Sequence, residues 1–171
     1  MTGVQIKQEA EAYIDEFIDD RDAVIAINRA LNLIGDMAQV YESVKAKIDE
    51  PGVWYELPPT VTHVQEVERV GGGFYPYFRT RDNMILFEHP GVYIIHYKRL
   101  PKPISGIMET PEIHPAFHQV LVTYVIAWWK LKDDDENPDG LRHYQLFFED
   151  TIRVFNTLRR QRGRKTWRVE R

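Results

Sequence analysis

The chain has 171 residues, of which 43% are hydrophobic and 28% charged, with a formal net charge of −4. These proportions predict one folded domain with a sizeable core and exclude wholesale disorder. The net negative charge argues against a generic nucleic-acid binder, and the absence of cysteine excludes disulfides, Cys-based zinc sites and thiol catalysis.

The first nine residues lack the apolar core of a signal peptide. Ile6, Ala10, Tyr13, Ile14, Phe17 and Ile18 recur at three- and four-residue spacing, which predicts a helix over 3–18. Asp19-Asp20-Arg21-Asp22 interrupts it, and an aspartate there can cap a second helix. Val24, Ile27, Leu31, Ile34, Ala38 and Tyr41 continue one face, so this helix is expected over 22–49, stopped by Pro51-Gly52.

A strand-rich insert is expected over 53–101. Val53–Leu57 is a short β-type run ended by Pro58-Pro59. Val61, Val64, Val67 and Val70 fall every third residue, which fits neither period cleanly and is read as strand. Gly71-Gly72-Gly73 marks a turn. Met84–Phe87 and Val92–Tyr97, joined by Glu88-His89-Pro90-Gly91, read as a hairpin. Pro101 and Pro103 end the insert, because proline cannot donate to a sheet ladder.

A third helix is expected over 111–132, with Pro111 tolerated in its first turn. On a helical wheel, Phe117, Val120, Leu121, Tyr124, Val125 and Trp128 make one apolar stripe, and Val122, Ile126 and Trp129 make a second. A surface helix normally shows a single stripe, so this one should be covered on most sides, by the β insert or by a neighbouring subunit. Its longest apolar stretch, Val120–Trp129, is shorter than the ~20 residues that span a bilayer. The fourth helix is expected over 140–158 with Leu141, Tyr144, Phe148, Ile152 and Phe155 as its stripe.

The fold expected is α+β and mainly α. It is a four-helix bundle over 1–158 with a small antiparallel β insert between the second and third helices, followed by an extended basic arm over 159–171. That arm carries Arg159, Arg160, Arg162, Arg164, Lys165, Arg168 and Arg171 against Glu170, with Trp167 and Val169 as isolated apolar residues. Its default reading is a solvated terminus. Phosphate contact through the arginines, with Trp167 stacking, is an alternative. The interleaved Trp167 and Val169 favour an arm that orders on a partner protein.

The catalytic signatures are weak. His114 and His118 are four apart, but zinc needs a third ligand, and no Glu follows His114 as an H-E-x-x-H motif requires. Asp133–Gly140 invites a calcium reading, yet Pro138 stands where the EF-hand loop needs glycine. The joint reads better as a solvated turn in which Asp139 caps the next helix. No G-K-[S/T] follows the triple glycine, and neither Ser43 nor Ser105 lies in a nucleophile elbow. The expectation is a non-enzymatic protein without cofactor or metal.

The order of elements carries one resemblance. It runs through Ile25–Asn32, Trp54-Tyr55-Glu56-Leu57-Pro58, Val92–Tyr97 leading to Leu100-Pro101, Pro111-Glu112-Ile113-His114, the acidic joint and Tyr144–Phe148. From Arg21 to Phe155, roughly four-fifths of the chain, this order resembles the head–tail adaptor (connector) proteins of tailed bacteriophages.

The resemblance implies a virion structural protein of the neck, assembled in the host cytoplasm. Such proteins form a ring, typically dodecameric, below the portal protein at the capsid vertex. The ring extends the DNA channel and docks a stopper, tail-completion or tail-tube protein, while the genome passes its lumen unrecognised and no membrane is involved. It also implies that the C-terminal arm, Arg159 to Arg171, reaches the portal. Expected subunit contacts are Val122, Ile126 and Trp129 of the third helix and the Glu88, His89, Pro90, Gly91 turn. A DNA-binding module acting through the tail is the alternative, and a metal-dependent hydrolase using His114, His118 and the acidic joint is a third class.

Overall fold

Helix α1 (Gly3–Ile14) opens on a reciprocal cap. The Thr2 hydroxyl accepts from the Gln5 N–H, and the Gln5 side chain accepts from the Thr2 N–H. The helix ends sooner than its periodicity predicts, at Asp15 in the left-handed region with φ 57°. Ile18 lies beyond the helix yet is fully buried, its N–H held by the Glu11 carboxylate at 2.9 Å. The structure, a computed structural model, describes residues 1–72 and 77–165, and the side chains of 1–72 and 77–161.

Asp19 caps α2 (Asp20–Ile34) by accepting from the Arg21 N–H at 2.8 Å, as the acidic break predicts. The helix does not run to 49. After Gly35-Asp36-Met37 the chain becomes strand β1 (Val40–Ile48). Ala38 and Tyr41 extend the helical spacing only by coincidence. From Val40 onward the partly covered residues alternate with exposed Tyr41, Ser43, Lys45 and Lys47, which is the two-residue period of a strand.

Five further strands follow: β2 (Trp54–Glu56), β3 (Val61–Arg69), β4 (Phe78–Arg81), β5 (Met84–Phe87) and β6 (Gly91–Arg99). They form two antiparallel sheets ordered β1-β6-β3 and β2-β5-β4. The every-third-residue valines of β3 are explained by two register shifts, between Val61 and His63 and between Val64 and Glu66. Each inserts one extra residue, so Val61, Val64 and Val67 all face the inward residues Arg99, Tyr97 and Ile95 of β6.

The expected hairpin of 84–87 with 92–97 does not form. Strand β6 has both edges occupied, by β1 and β3, and leaves none for β5. Strand β5 instead turns back on β4 through Asp82-Asn83, with Asp82 at φ 52°. Asn83 locks this turn to Leu57 by donating its amide to the Leu57 carbonyl at 2.7 Å. The two sheets share one core of Ile48, Leu57, Val67, Ile85, Phe87, Tyr93 and Ile95, with the Phe87 and Tyr93 rings stacked 4.3 Å apart.

The chain re-enters the helical part at Pro101. There the Asn28 side chain clamps Ile104, donating to its carbonyl at 2.9 Å and accepting from its N–H at 2.8 Å. The third helix does not start at Pro111. A 3-10 turn at Pro115–Phe117, capped by the His114 ring, leads into α3 (His118–Leu131). Helix α3 packs against α1, α2 and α4, so its all-round apolar surface is covered within the chain.

Helix α4 runs from Pro138 to Lys165, past the expected end at 158. Of the predicted Leu141, Tyr144, Phe148, Ile152, Phe155 stripe, Phe148 and Phe155 pack partly buried against the core, while Leu141, Tyr144 and Ile152 are exposed. The buried positions are Gly140, His143, Phe147 and Thr151, one residue away on the wheel. Glycine permits this approach, since a Cβ on Gly140 would lie 2.8 Å from Leu131 Cγ.

The architecture is therefore not a four-helix bundle with a small insert and an extended arm. Among the described residues, four helices and six strands fall into two compact units, Met1–Ala38 with Pro101–Arg171, and Gln39–Leu100. Each unit has its own core. Residues 159–165 are helix because arginine, glutamine and lysine favour it enough to carry one glycine.

The covered face of α4 is checked by two truncations. Phe147→Ala should lower unfolding free energy by about 3–5 kcal/mol, whereas Ile152→Ala, at a half-exposed position, should change it by less than about 1 kcal/mol. Denaturant unfolding measures both.

Candidate functional site

Carboxylates cluster where α4 begins, and arginines are exposed farther along it. At one end, Asn137 caps α4 by accepting from the Asp139 N–H at 3.1 Å and the Gly140 N–H at 3.0 Å. Asn137 therefore does the work expected of Asp139. Asp139 sits in the first turn and binds Lys130 at 2.6 Å, which holds its carboxyl below the usual carboxylate range. Lys132 reaches Asp22 at 2.7 Å, and the Trp129 indole donates to Glu16 at 2.7 Å. These two bonds hold the α1–α2 turn against the end of α3, where Asp19, Asp22 and Asp133 lie close enough to act on Lys132.

Helix α4 leads away from this acidic end. Its 28 residues span about 42 Å at 1.5 Å per residue. Its last side chain packed against the core is Leu158. Arg159, Arg160 and Gln161 are exposed at three successive positions, which point in three directions around the axis. Arg162, Arg164 and Lys165 continue the helical backbone, their side chains outside the described residues. Trp167, Arg168, Val169 and Arg171 also lie outside the described residues.

The expected subunit contacts are dispersed. Val122 and Ile126 belong to the core around α3, so they are not an outer face, and Trp129 is half-buried with its indole on Glu16. Glu88, His89 and Pro90 are exposed, but they link strands of different sheets and do not form a hairpin tip. Their backbone is engaged, since the Tyr93 hydroxyl donates to the His89 carbonyl at 2.9 Å and Arg69 donates to the Pro90 carbonyl at 3.1 Å. Gly91 is the first residue of β6.

His114 and His118 do not share a helical face. His114 caps the 3-10 turn, while His118 is buried with Nδ1 2.6 Å from the Met1 amino group. Among the described residues, no group of three or more His, Cys, Asp or Glu could hold a metal ion. Burial first, and the adjacent amino group second, push the His118 imidazole below its ordinary pKa.

Two concave surfaces escaped the sequence reading. One, in the helical unit, is a cleft of about 460 Å³ lined by Arg29, Tyr124, Trp128, Leu131, Lys132 and Tyr144. Burial raises the Tyr124 hydroxyl pKa there. The other, in the strand unit, is an apolar slot of about 570 Å³ lined by residues of both β1 and β2.

No protein-family model matches the chain, and no curated protein matches it.

The buried histidine gives a pH test. The unfolded imidazole binds a proton near pH 6.5 and the folded one only at lower pH, so the unfolded state holds more protons across that window. Stability should fall as pH drops from 7.5 towards about 5.5. His118→Gln should flatten that part of the slope, read as urea midpoints at the two pH values.

Proposed function

We propose that this chain is a non-enzymatic assembly subunit, a head–tail adaptor of a tailed bacteriophage that docks on the portal protein through the basic end of α4. The observation that carries the reading is the exposure of Arg159, Arg160 and Gln161 at three successive positions of that helix. Exposed helical positions gain little from tertiary packing, which supplies most helical stability. Arg159 and Arg160 there are free of any ion pair among the described residues and offer planar donors to an acidic surface. Leu141, Tyr144 and Ile152 leave an apolar edge along the same helix, 37–50% exposed. Exposed apolar side chains and arginines are both common in protein-docking surfaces. The ordered resemblance from Arg21 to Phe155 supplies the portal as the partner, and a ring as the assembled form.

In this reading the acidic end repels the passing genome, and the basic helix end holds the portal. Stopper, tail-completion or tail-tube proteins dock on the opposite side of the ring. The exposed arginines also favour one other reading, DNA phosphate contact, which is separable by salt dependence.

Size-exclusion chromatography with light scattering on the full chain and its cognate portal tests the proposal. The two should co-elute. Arg159→Glu with Arg160→Glu should weaken binding by about tenfold or more with an unchanged circular dichroism spectrum. A chain that ignores portal overturns the adaptor reading, and a reversed variant that binds normally overturns the α4 contact. DNA affinity that falls steeply with salt, and is lost in that variant, would put the nucleic-acid reading in its place.

A further inference from the structure

We propose that the cleft of the helical unit is a binding site for a small aromatic carboxylate. Its walls come from three helices: Arg29 of α2, Tyr124, Trp128 and Leu131 of α3, with Lys132 just beyond it, and Tyr144 of α4. The volume of about 460 Å³ falls within the range of small-molecule sites. Such a site is independent of any portal contact.

The hydroxyl of Tyr124 carries the assignment. Among the described residues, three tyrosines are buried: Tyr93, Tyr97 and Tyr124. Tyr93 donates to the His89 carbonyl and Tyr97 to the Glu42 carboxylate. Tyr124 is only 7% exposed, yet its hydroxyl bonds to no group among the described residues, and it is the one of the three that lines a cleft. A buried hydroxyl left unpaired costs about 1–3 kcal/mol. Burial also raises its pKa, so it stays protonated and faces the cleft as a donor.

Two further donors stand beside it. Arg29 and Tyr144 both lie close enough to act on the Tyr124 hydroxyl. The Arg29 guanidinium makes no ion pair or side-chain hydrogen bond among the described residues, and the Tyr144 hydroxyl is likewise unpaired. No carboxylate stands one turn away on their own helices: Ile25, Ala26, Asn32 and Leu33 flank Arg29, and Gly140, Leu141, Phe147 and Phe148 flank Tyr144. A planar guanidinium with two phenolic donors suits the two oxygens of a carboxylate.

The other end of the cleft limits the ligand's charge. Lys132 there is already answered by Asp22 at 2.7 Å, and Asp19 and Asp133 also act on it. One cation, Arg29, is therefore left for the ligand, and the nearby carboxylates repel a second negative charge. That selects a monoanion over a phosphate dianion. Between the two ends, Trp128, Leu131 and the rings of Tyr124 and Tyr144, whose centroids are 6.2 Å apart, offer apolar faces to a flat ring.

Saturation-transfer NMR titrations of the full chain test the site with three probes: phenylacetate, its neutral isostere phenylacetamide, and phenyl phosphate. Phenylacetate should bind saturably and more tightly than either of the others. Arg29→Gln and Tyr124→Phe each remove one bond to the carboxylate and should weaken it about tenfold, while phenylacetamide binding should change less in Arg29→Gln. Arg29 is exposed, so that variant keeps its fold, checked by circular dichroism, even if Tyr124→Phe is destabilised. No saturable phenylacetate binding up to about 10 mM would overturn the site. So would equal binding of acid and amide, or undiminished phenylacetate affinity in Arg29→Gln. Tighter binding of phenyl phosphate would overturn the carboxylate assignment.

Discussion

Helix α3 carries apolar side chains in every direction, so its whole circumference must be kept from water. Val120, Leu121, Val122, Tyr124, Val125, Ile126 and Ala127 are seven of eight consecutive positions, and all are buried. No single neighbour can cover such a helix, because one packed element shields only one stripe. Helices α1, α2 and α4 therefore surround it. The rest of the helical unit follows from this demand. Ile18 is drawn into the core from outside any helix, Asn28 clamps the chain where it returns at Ile104, and Gly140 lets α4 approach Leu131 without a Cβ in the way.

Strand β6 plays the corresponding part in the other unit. It pairs on both sides, and its inward residues Tyr93, Ile95, Tyr97 and Arg99 are all buried. Arg99 is tolerated there because its guanidinium meets the Glu42 carboxylate at 2.5 Å and the Leu100 carbonyl at 3.1 Å. The Tyr97 hydroxyl joins the same carboxylate at 3.1 Å, and burial lifts its pKa. A central strand satisfied on both edges leaves β1 and β3 as margins. What those margins carry then determines how the sheet meets other molecules.

Charge is unevenly placed along the helical unit. Asp19, Asp22 and Asp133 lie near Lys132 where α4 begins, and Arg159 and Arg160 are exposed towards its other end. Exposed charges contribute little to stability. They bias which surfaces meet.

Much of the local structure was legible in the sequence because its causes are local. The Asp19 cap, the strand character of 61–69 and the apolar crowding of 117–131 are read from neighbouring residues alone. The errors share one cause, which is that coverage is decided by partners distant in the chain. Val40–Ile48 became a strand because β6 offers it an edge, and the spacing of Ala38 and Tyr41 could not reveal that. The 84–97 hairpin failed because β6 was already paired on both sides. Helix α4 fully buries Gly140, His143, Phe147 and Thr151, of which only Phe147 announces a core, and leaves Leu141, Tyr144 and Ile152 at its rim. The sequence by itself determined the approximate places of the four helices, the acidic cap of α2, the strand character of the middle segment, the uneven charge and the absence of cysteine chemistry. Only the tertiary structure decided which apolar face is covered, which strands are edges and which charges stand together, because each of these depends on contacts between residues far apart in the chain.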